Sequence, residues 1–158
     1  MRLKILCFGL VIGLSCMVSL AFSADDSDIR GAWRPELYQM KDGTRHEVTG
    51  LITFTEKDWS VLLFIMKKGE PERGSGEGGT YTLDVNKLVF RHLYYFAAGK
   101  AIPGVSGSVP PSDLPLTARK PDAPDIPSEA CTLEVKDDLL TIDFPSGNLI
   151  RFRRSSAP

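Results

Sequence analysis

The sequence predicts an all-β domain, an eight-stranded antiparallel up-and-down β-barrel, and three observations carry the prediction. The runs Ser128–Lys136, Leu139–Phe144 and Asn148–Arg153 are short, rich in β-branched, aromatic and aliphatic residues, and separated only by turn formers. That is the pattern of consecutive hairpins. The same texture fills residues 30–96. No segment sustains an apolar period of 3.6 residues, so no helix is expected.

Taken in order, the strands are Arg30–Met40, Gly50–Thr55, Trp59–Lys67, Thr80–Leu83, Leu88–Phe96, Ala130–Lys136, Leu139–Phe144 and Asn148–Arg153. Lys41-Asp42-Gly43, Glu56-Lys57-Asp58, Asp84-Val85-Asn86, Asp137-Asp138 and Pro145-Ser146-Gly147 join them, and these residue types favour tight turns. Links this short demand antiparallel neighbours, because parallel strands need long crossovers. Closure of eight such strands leaves an interior that side chains fill or that holds one small ligand. Pro35 lacks an N–H for a ladder, which places it at an edge or a bulge.

Two connectors break the rhythm. Lys67 to Gly79 is rich in glycine and mixed charge and reads as a flexible, solvated hairpin tip. Gly74 and Gly79 have P-loop spacing, but no Lys-Ser or Lys-Thr follows and the next element is a strand, so phosphate binding is excluded on context. Ala98 to Pro127 holds seven of the eleven prolines. A structureless loop of that length is unusual in a compact domain. It reads either as a flap over one barrel mouth or as a mobile surface excursion.

The chain opens on an export signal. Arg2 and Lys4 precede an uncharged apolar run from Ile5 to Leu20, and Ala21-Phe22-Ser23 supplies small residues at a cleavage site. The expected product is a periplasmic or secreted domain of residues 24–158 with no membrane span; lipidation at Cys16 is the minor alternative. Cleavage removes Cys7 and Cys16, leaves Cys131 without an intrachain partner, and by loss of Arg2 and Lys4 takes the net charge from −1 to −3. Such a balance offers nothing to nucleic acid or an anionic membrane surface.

Alternation assigns faces along the fifth strand. Leu88, Phe90, His92, Tyr94 and Phe96 share one side and Arg91 marks the other as solvent-facing, so His92 points into an aromatic interior. An inward histidine either orients a ligand or is satisfied by a neighbouring hydroxyl. His46 and His92 are the only histidines and no metal-ligand spacing or catalytic constellation accompanies them, so no metal or cofactor is expected. Acidic residues fall mainly at turns or outer faces, and Cys131 on a buried face behaves as a small hydrophobe. Closure pairs the first and last strands, which lets an arginine of Arg151-Phe152-Arg153-Arg154 stack on Trp33 and seal one end.

Ile29-Arg30-Gly31-Ala32-Trp33, the Asp42-Gly43 turn, Gly50-Leu51-Ile52-Thr53-Phe54, Gly79-Thr80-Tyr81 and Val89-Phe90-Arg91-His92 follow one another in an order that resembles the bacterial lipocalin-like domain proteins, of the calycin group. The likeness spans residues 29–154 and departs from the pattern in the proline-rich insert and in Pro35. It implies the barrel and little about activity, because one fold hosts many functions.

The resulting expectation is an exported barrel that binds a small apolar or amphipathic molecule without converting it. Its ligand residues are His92, Tyr94, Phe90, Tyr81, Phe54 and Tyr38, with Trp33, Leu62 and Phe64 completing the wall. Either parity of the third strand, Trp59-Val61-Leu63-Ile65 or Ser60-Leu62-Phe64-Met66, is apolar enough to face inward. Two rivals stand beside it: an isomerase or cyclase using His92 as base with Tyr81 or Tyr94 as acid, and a solid-cored interaction or inhibitor module whose proline-rich loop meets a protein.

Overall fold

The structure is a computed structural model that describes residues 28–105 and 116–155. The expected export signal at 1–23, with Cys7 and Cys16, and the middle of the proline-rich segment lie outside the described residues. Nine strands follow in chain order: β1 (Gly31–Gln39), β2 (Arg45–Phe54), β3 (Asp58–Lys67), β4 (Glu70–Asp84), β5 (Lys87–Gly99), β6 (Leu116–Ala118), β7 (Ser128–Lys136), β8 (Leu139–Asp143) and β9 (Leu149–Arg154). The sheet runs β4-β3-β2-β1-β9-β8-β7-β5-β6, and a further β4–β5 pairing closes it. All strands but β6 therefore form an eight-stranded antiparallel ring with up-and-down connectivity.

The hairpin tip expected over residues 67–79 is instead two residues, Lys68 and Gly69, both in the left-handed region with φ of 55° and 83°. That backbone twist matches the flanking strands and lets β4 start at Glu70. The glycines that suggested flexibility are strand residues. Gly74 and Gly76 lie on the outer face, where the rings of Phe64 and Phe96 cover them; an added Cβ would sit 2.8 Å and 2.1 Å from those rings. Neighbouring aromatics thus occupy the surface that the missing side chains leave bare.

Strand β5 carries the second departure. Gly79 pairs with His92 and Gly78 with Tyr94, so Leu93 is an extra residue, a β-bulge. Up to His92 the inner residues are Leu88, Phe90 and His92; beyond the bulge the inward residues are Tyr95 and Ala97, opposite Glu77 and Ser75. Tyr94 and Phe96 are turned outward, where they are about half exposed (52% and 49%). At the same point β5 changes partner: Lys87–Arg91 pair with β7, whereas Tyr94–Phe96 pair with β6. The carbonyl of Pro127 accepts the His92 N–H, and the carbonyl of Leu93 accepts the Arg119 N–H.

The third strand resolves to one parity. Trp59 and Ile65 are buried with Val61 and Leu63 packed beside them, while Leu62 is exposed. Pro35 pairs with Phe152 next to a register shift that ends at Leu37, so the ring is closed through a bulge rather than an edge. Trp33 fills one end of the barrel. Its Nε1–H donates to the carbonyl of Ile29 at 2.8 Å, and the guanidinium of Arg154 stacks 4.1 Å from its ring centre. That guanidinium also donates to the carbonyls of Arg30 and Asp28, which ties the chain entering β1 to the end of β9.

Candidate functional site

The opposite half of the barrel contains a cavity of about 100 Å³. Ile52, Val61, Leu63, Ile142, Ile150 and Phe152 supply most of its apolar wall, and Tyr38, Trp59, Ser75, Glu77, Phe90, His92, Glu129 and Asn148 its aromatic and polar parts. The start of the proline-rich segment covers the mouth. Ile102 and Val105 pack on the core, and the carbonyl of Gly104 accepts the Asn148 Nδ2–H at 3.1 Å. Asn148 is a clamp: its Nδ2 also donates to the Tyr38 hydroxyl at 3.1 Å, and its Oδ1 accepts the Lys41 N–H at 3.0 Å. Burial pushes the Tyr38 hydroxyl above its ordinary pKa.

Trp59, Gly79 and His92 lie in one cross-strand row on the inner face. Gly79 has no side chain, so the Trp59 and His92 rings meet edge-on above it with centroids 5.3 Å apart. A Cβ at Gly79 would fall 1.9 Å from the Arg91 carbonyl oxygen, so the bulge and this glycine require each other. Phe90 packs 4.3 Å from Trp59 and continues the aromatic wall.

His92 stands between two carboxylates. Its Nδ1 lies 3.2 Å from Glu77 Oε2 and its Nε2 lies 3.9 Å from Glu129 Oε2. Burial, and then the charge of Glu77, push the Glu129 carboxyl above its ordinary pKa, while His92 pulls it down. The Nε1–H of Trp59 is buried and has no hydrogen-bond partner among the described residues. A buried donor left unpaired is a rare and costly feature. Together these groups form a short acid–imidazole–acid chain beside an unpaired donor, at the polar flank of an apolar chamber.

Of the residues expected to contact a ligand, Tyr38, Phe90 and His92 line the cavity. Phe54 is buried in the core outside its lining, and Tyr81 packs edge-on against Phe54 while donating its hydroxyl to the Thr55 carbonyl at 2.7 Å. Tyr94 does not face the interior, because the Leu93 bulge reverses the alternation there. Leu62 and Phe64 are likewise on the outer face, opposite Gly76 and Gly74. Trp33 plugs the far end. Neither Tyr81 nor Tyr94 is placed among the lining residues to act as acid to His92.

Glu77, Glu129 and Trp59 are the site residues that sequence reasoning did not single out. Glu77 lies in the glycine-rich run that resembled a tip, and placing the acids at outer faces is wrong for both carboxylates. For Glu129 a signal existed, since it alternates with Cys131, Leu133 and Val135 on one face of β7. Burial pushes the Cys131 thiol up to about 12, which makes it inert at neutral pH.

No family model matches the chain, and no curated protein matches it. Among solved structures it is similar to a lipocalin-like protein from Bacteroides uniformis ATCC 8492, with 15% identity over 80% of this chain and 97% of that one and a TM-score of 0.48. It is also similar to an uncharacterized protein from Bacteroides eggerthii DSM 20697, with 16% identity over 81% of this chain and 100% of that one and a TM-score of 0.47. A de novo designed fluorescence-activating β-barrel follows at 12% identity, 80% and 93% coverage and a TM-score of 0.38. At such low identities and scores the assignment stands on the chain's own strand order and closure, which are those of a lipocalin-like β-barrel.

Proposed function

We propose that this barrel binds a compact amphipathic molecule in its interior. The observation that carries the reading is a mainly apolar chamber with one polar flank: aliphatic and aromatic walls on most sides, with His92, Glu77 and Glu129 converging on one side. Apolar walls supply affinity and a few convergent polar groups supply orientation. Size narrows the class. An engineered apolar cavity of about 150 Å³ takes up benzene, so a chamber of about 100 Å³ sets a single small ring or short branched chain as the upper limit and leaves no room for an extended acyl chain. Access runs past Ile102 and Val105, whose displacement would widen the mouth.

The test is calorimetric titration of the full mature chain with single-ring amphipaths such as benzyl alcohol and cyclohexanol. Saturable binding that disappears in the cavity-filling variant Val61→Phe, with the far-ultraviolet circular dichroism unchanged, supports the reading. Absence of saturable binding by single-ring amphipaths, neutral and charged alike, rejects it. Export of the domain is part of the same proposal, based on the leader at 1–23. N-terminal sequencing of the protein from the extracytoplasmic fraction should begin near Ala24; an intact Met1 there would reject cleavage.

One observation favours a second reading. Glu77 is within hydrogen-bonding reach of His92 Nδ1 and gives the imidazole the orienting partner that a general base requires. Proton transfer on a bound ligand would then appear as chemical conversion of the recovered molecule, lost in His92→Ala. Recovery of unchanged ligand keeps the protein a binder.

A further inference from the structure

The charge of the chamber, taken with the binding reading above on which this rests, selects among ligands. The ionisable side chains lining it are Glu77 from β4, His92 from β5, Glu129 from β7 and the Tyr38 phenol from β1. With both carboxylates ionised, even a protonated imidazole leaves this cluster at net −1, two anions against one cation. Moving that proton from His92 to Glu129 changes its place and not the sum. The buried Arg73 is on the same inner face, outside the lining; its partners, the carbonyl of Lys100 and the hydroxyl of Tyr95, are neutral, so its charge also reaches the chamber and brings the sum to −1 with a neutral imidazole and to 0 with a protonated one. Directly beside the two carboxylates a cation is therefore favoured over a further anion.

A second observation points the same way and adds a requirement. Trp59 is 5% exposed and lines the chamber, and its Nε1–H lacks an acceptor among the described residues. An indole nitrogen only donates, and this one is closed off from water, so an acceptor on an entering molecule reaches it only as the chamber wall adjusts. The faces of Trp59 and Phe90 beside the carboxylates are also suited to an ammonium group. We propose that the chamber takes a small monocationic amine that also bears a hydrogen-bond acceptor, its ammonium held by Glu77 and Glu129 and its acceptor by Trp59 Nε1–H.

Four compounds of nearly equal size separate the contributions: prolinol, 2-methylpyrrolidine, tetrahydrofurfuryl alcohol and tetrahydro-2-furoate. The first two are cations with and without the hydroxyl, the third is neutral and the fourth an anion. Titration of the full mature chain should rank prolinol first, by about ten- to a hundred-fold over tetrahydrofurfuryl alcohol, the range for a charge-assisted hydrogen bond. The furoate should bind least. Glu77→Gln and Glu129→Gln should each lower the preference for prolinol over the neutral alcohol by about tenfold. Trp59→Phe should abolish the advantage of prolinol over 2-methylpyrrolidine while the cation preference remains. Equal or tighter binding of the neutral or anionic compound, or variants that keep the full cation preference, would overturn the proposal. If benzyl alcohol or cyclohexanol binds and none of these four does, the amine specificity fails alone; if nothing in either set binds, the binding reading fails with it.

Discussion

Single residues decide how the two ends of this barrel differ. Trp33 is wholly buried and held by Arg154 on its face and Ile29 at its nitrogen. Trp33→Ala should therefore destabilise the fold by about 3–5 kcal/mol, as large aromatic truncations in cores do. Urea unfolding measures this, and a loss under about 1 kcal/mol would show that Trp33 is not a core plug. Gly79 carries an opposite constraint. Gly79→Ala should cost about 1–3 kcal/mol by overpacking, because its Cβ would collide with the backbone of Arg91 and not with a movable side chain. Glu129 makes stability depend on pH. Its folded pKa is raised, mainly by burial, so the folded chain binds that proton more tightly than the unfolded chain. The associated stability is full below the ordinary carboxyl value of 4.5 and is lost as pH rises through the raised folded value. Glu129→Gln should accordingly gain stability relative to the parent above that window and gain nothing below it. Unfolding measured across acid to neutral pH reads this directly, and a gain that grew towards acid pH would contradict it.

At the scale of elements, the strands with clean alternation and turn-forming links were legible from residues alone: β1, β3, β7, β8 and β9 fall within two residues of their expected bounds. What was not legible depends on partners distant in sequence. The start of β4 was hidden because glycine signals flexibility locally, and only Phe64 and Phe96, supplied by the strands on either side, make Gly74 and Gly76 strand residues. The facing of Tyr94 was hidden because one inserted residue, Leu93, reverses a period of two. Glu77 was hidden for a related reason, since a carboxylate near a presumed turn looks solvated until closure brings His92 beside it, whereas the inward facing of Glu129 was legible from its alternation with Cys131 and Leu133. Composition alone leaves the proline-rich segment as either a flap or a surface excursion. Its described parts are docked, by Ile102, Val105 and Gly104 at the mouth and by β6 along β5. Asn148→Ala should release that mouth and cost about 1–3 kcal/mol, the range for leaving buried partners unsatisfied. Hydrogen exchange should then accelerate at Val105, whose N–H bonds Ile102, while the Trp33 end stays protected. Unchanged exchange at Val105 would mean that Asn148 does not hold the segment.

For the whole molecule, closure of eight strands removes the open edges that a flat sheet would expose, and it divides the interior into a plugged end and a chambered one. The plug is aromatic and cation-stacked; the chamber is apolar with an acidic, histidine-containing flank. A tryptophan marks each half, Trp33 in the plug and Trp59 on the chamber wall, and these are the two tryptophans of the chain. Their indole N–H groups are in opposite states, one bonded to Ile29 and one unpartnered among the described residues. The most direct test of an interior binding chamber is therefore a nitrogen-15 NMR titration that follows both indole signals while benzyl alcohol is added. Binding in the chamber predicts that the Trp59 signal moves and saturates while the Trp33 signal stays in place. A Trp59 signal that never moves, or two signals that drift together without saturation, would contradict it.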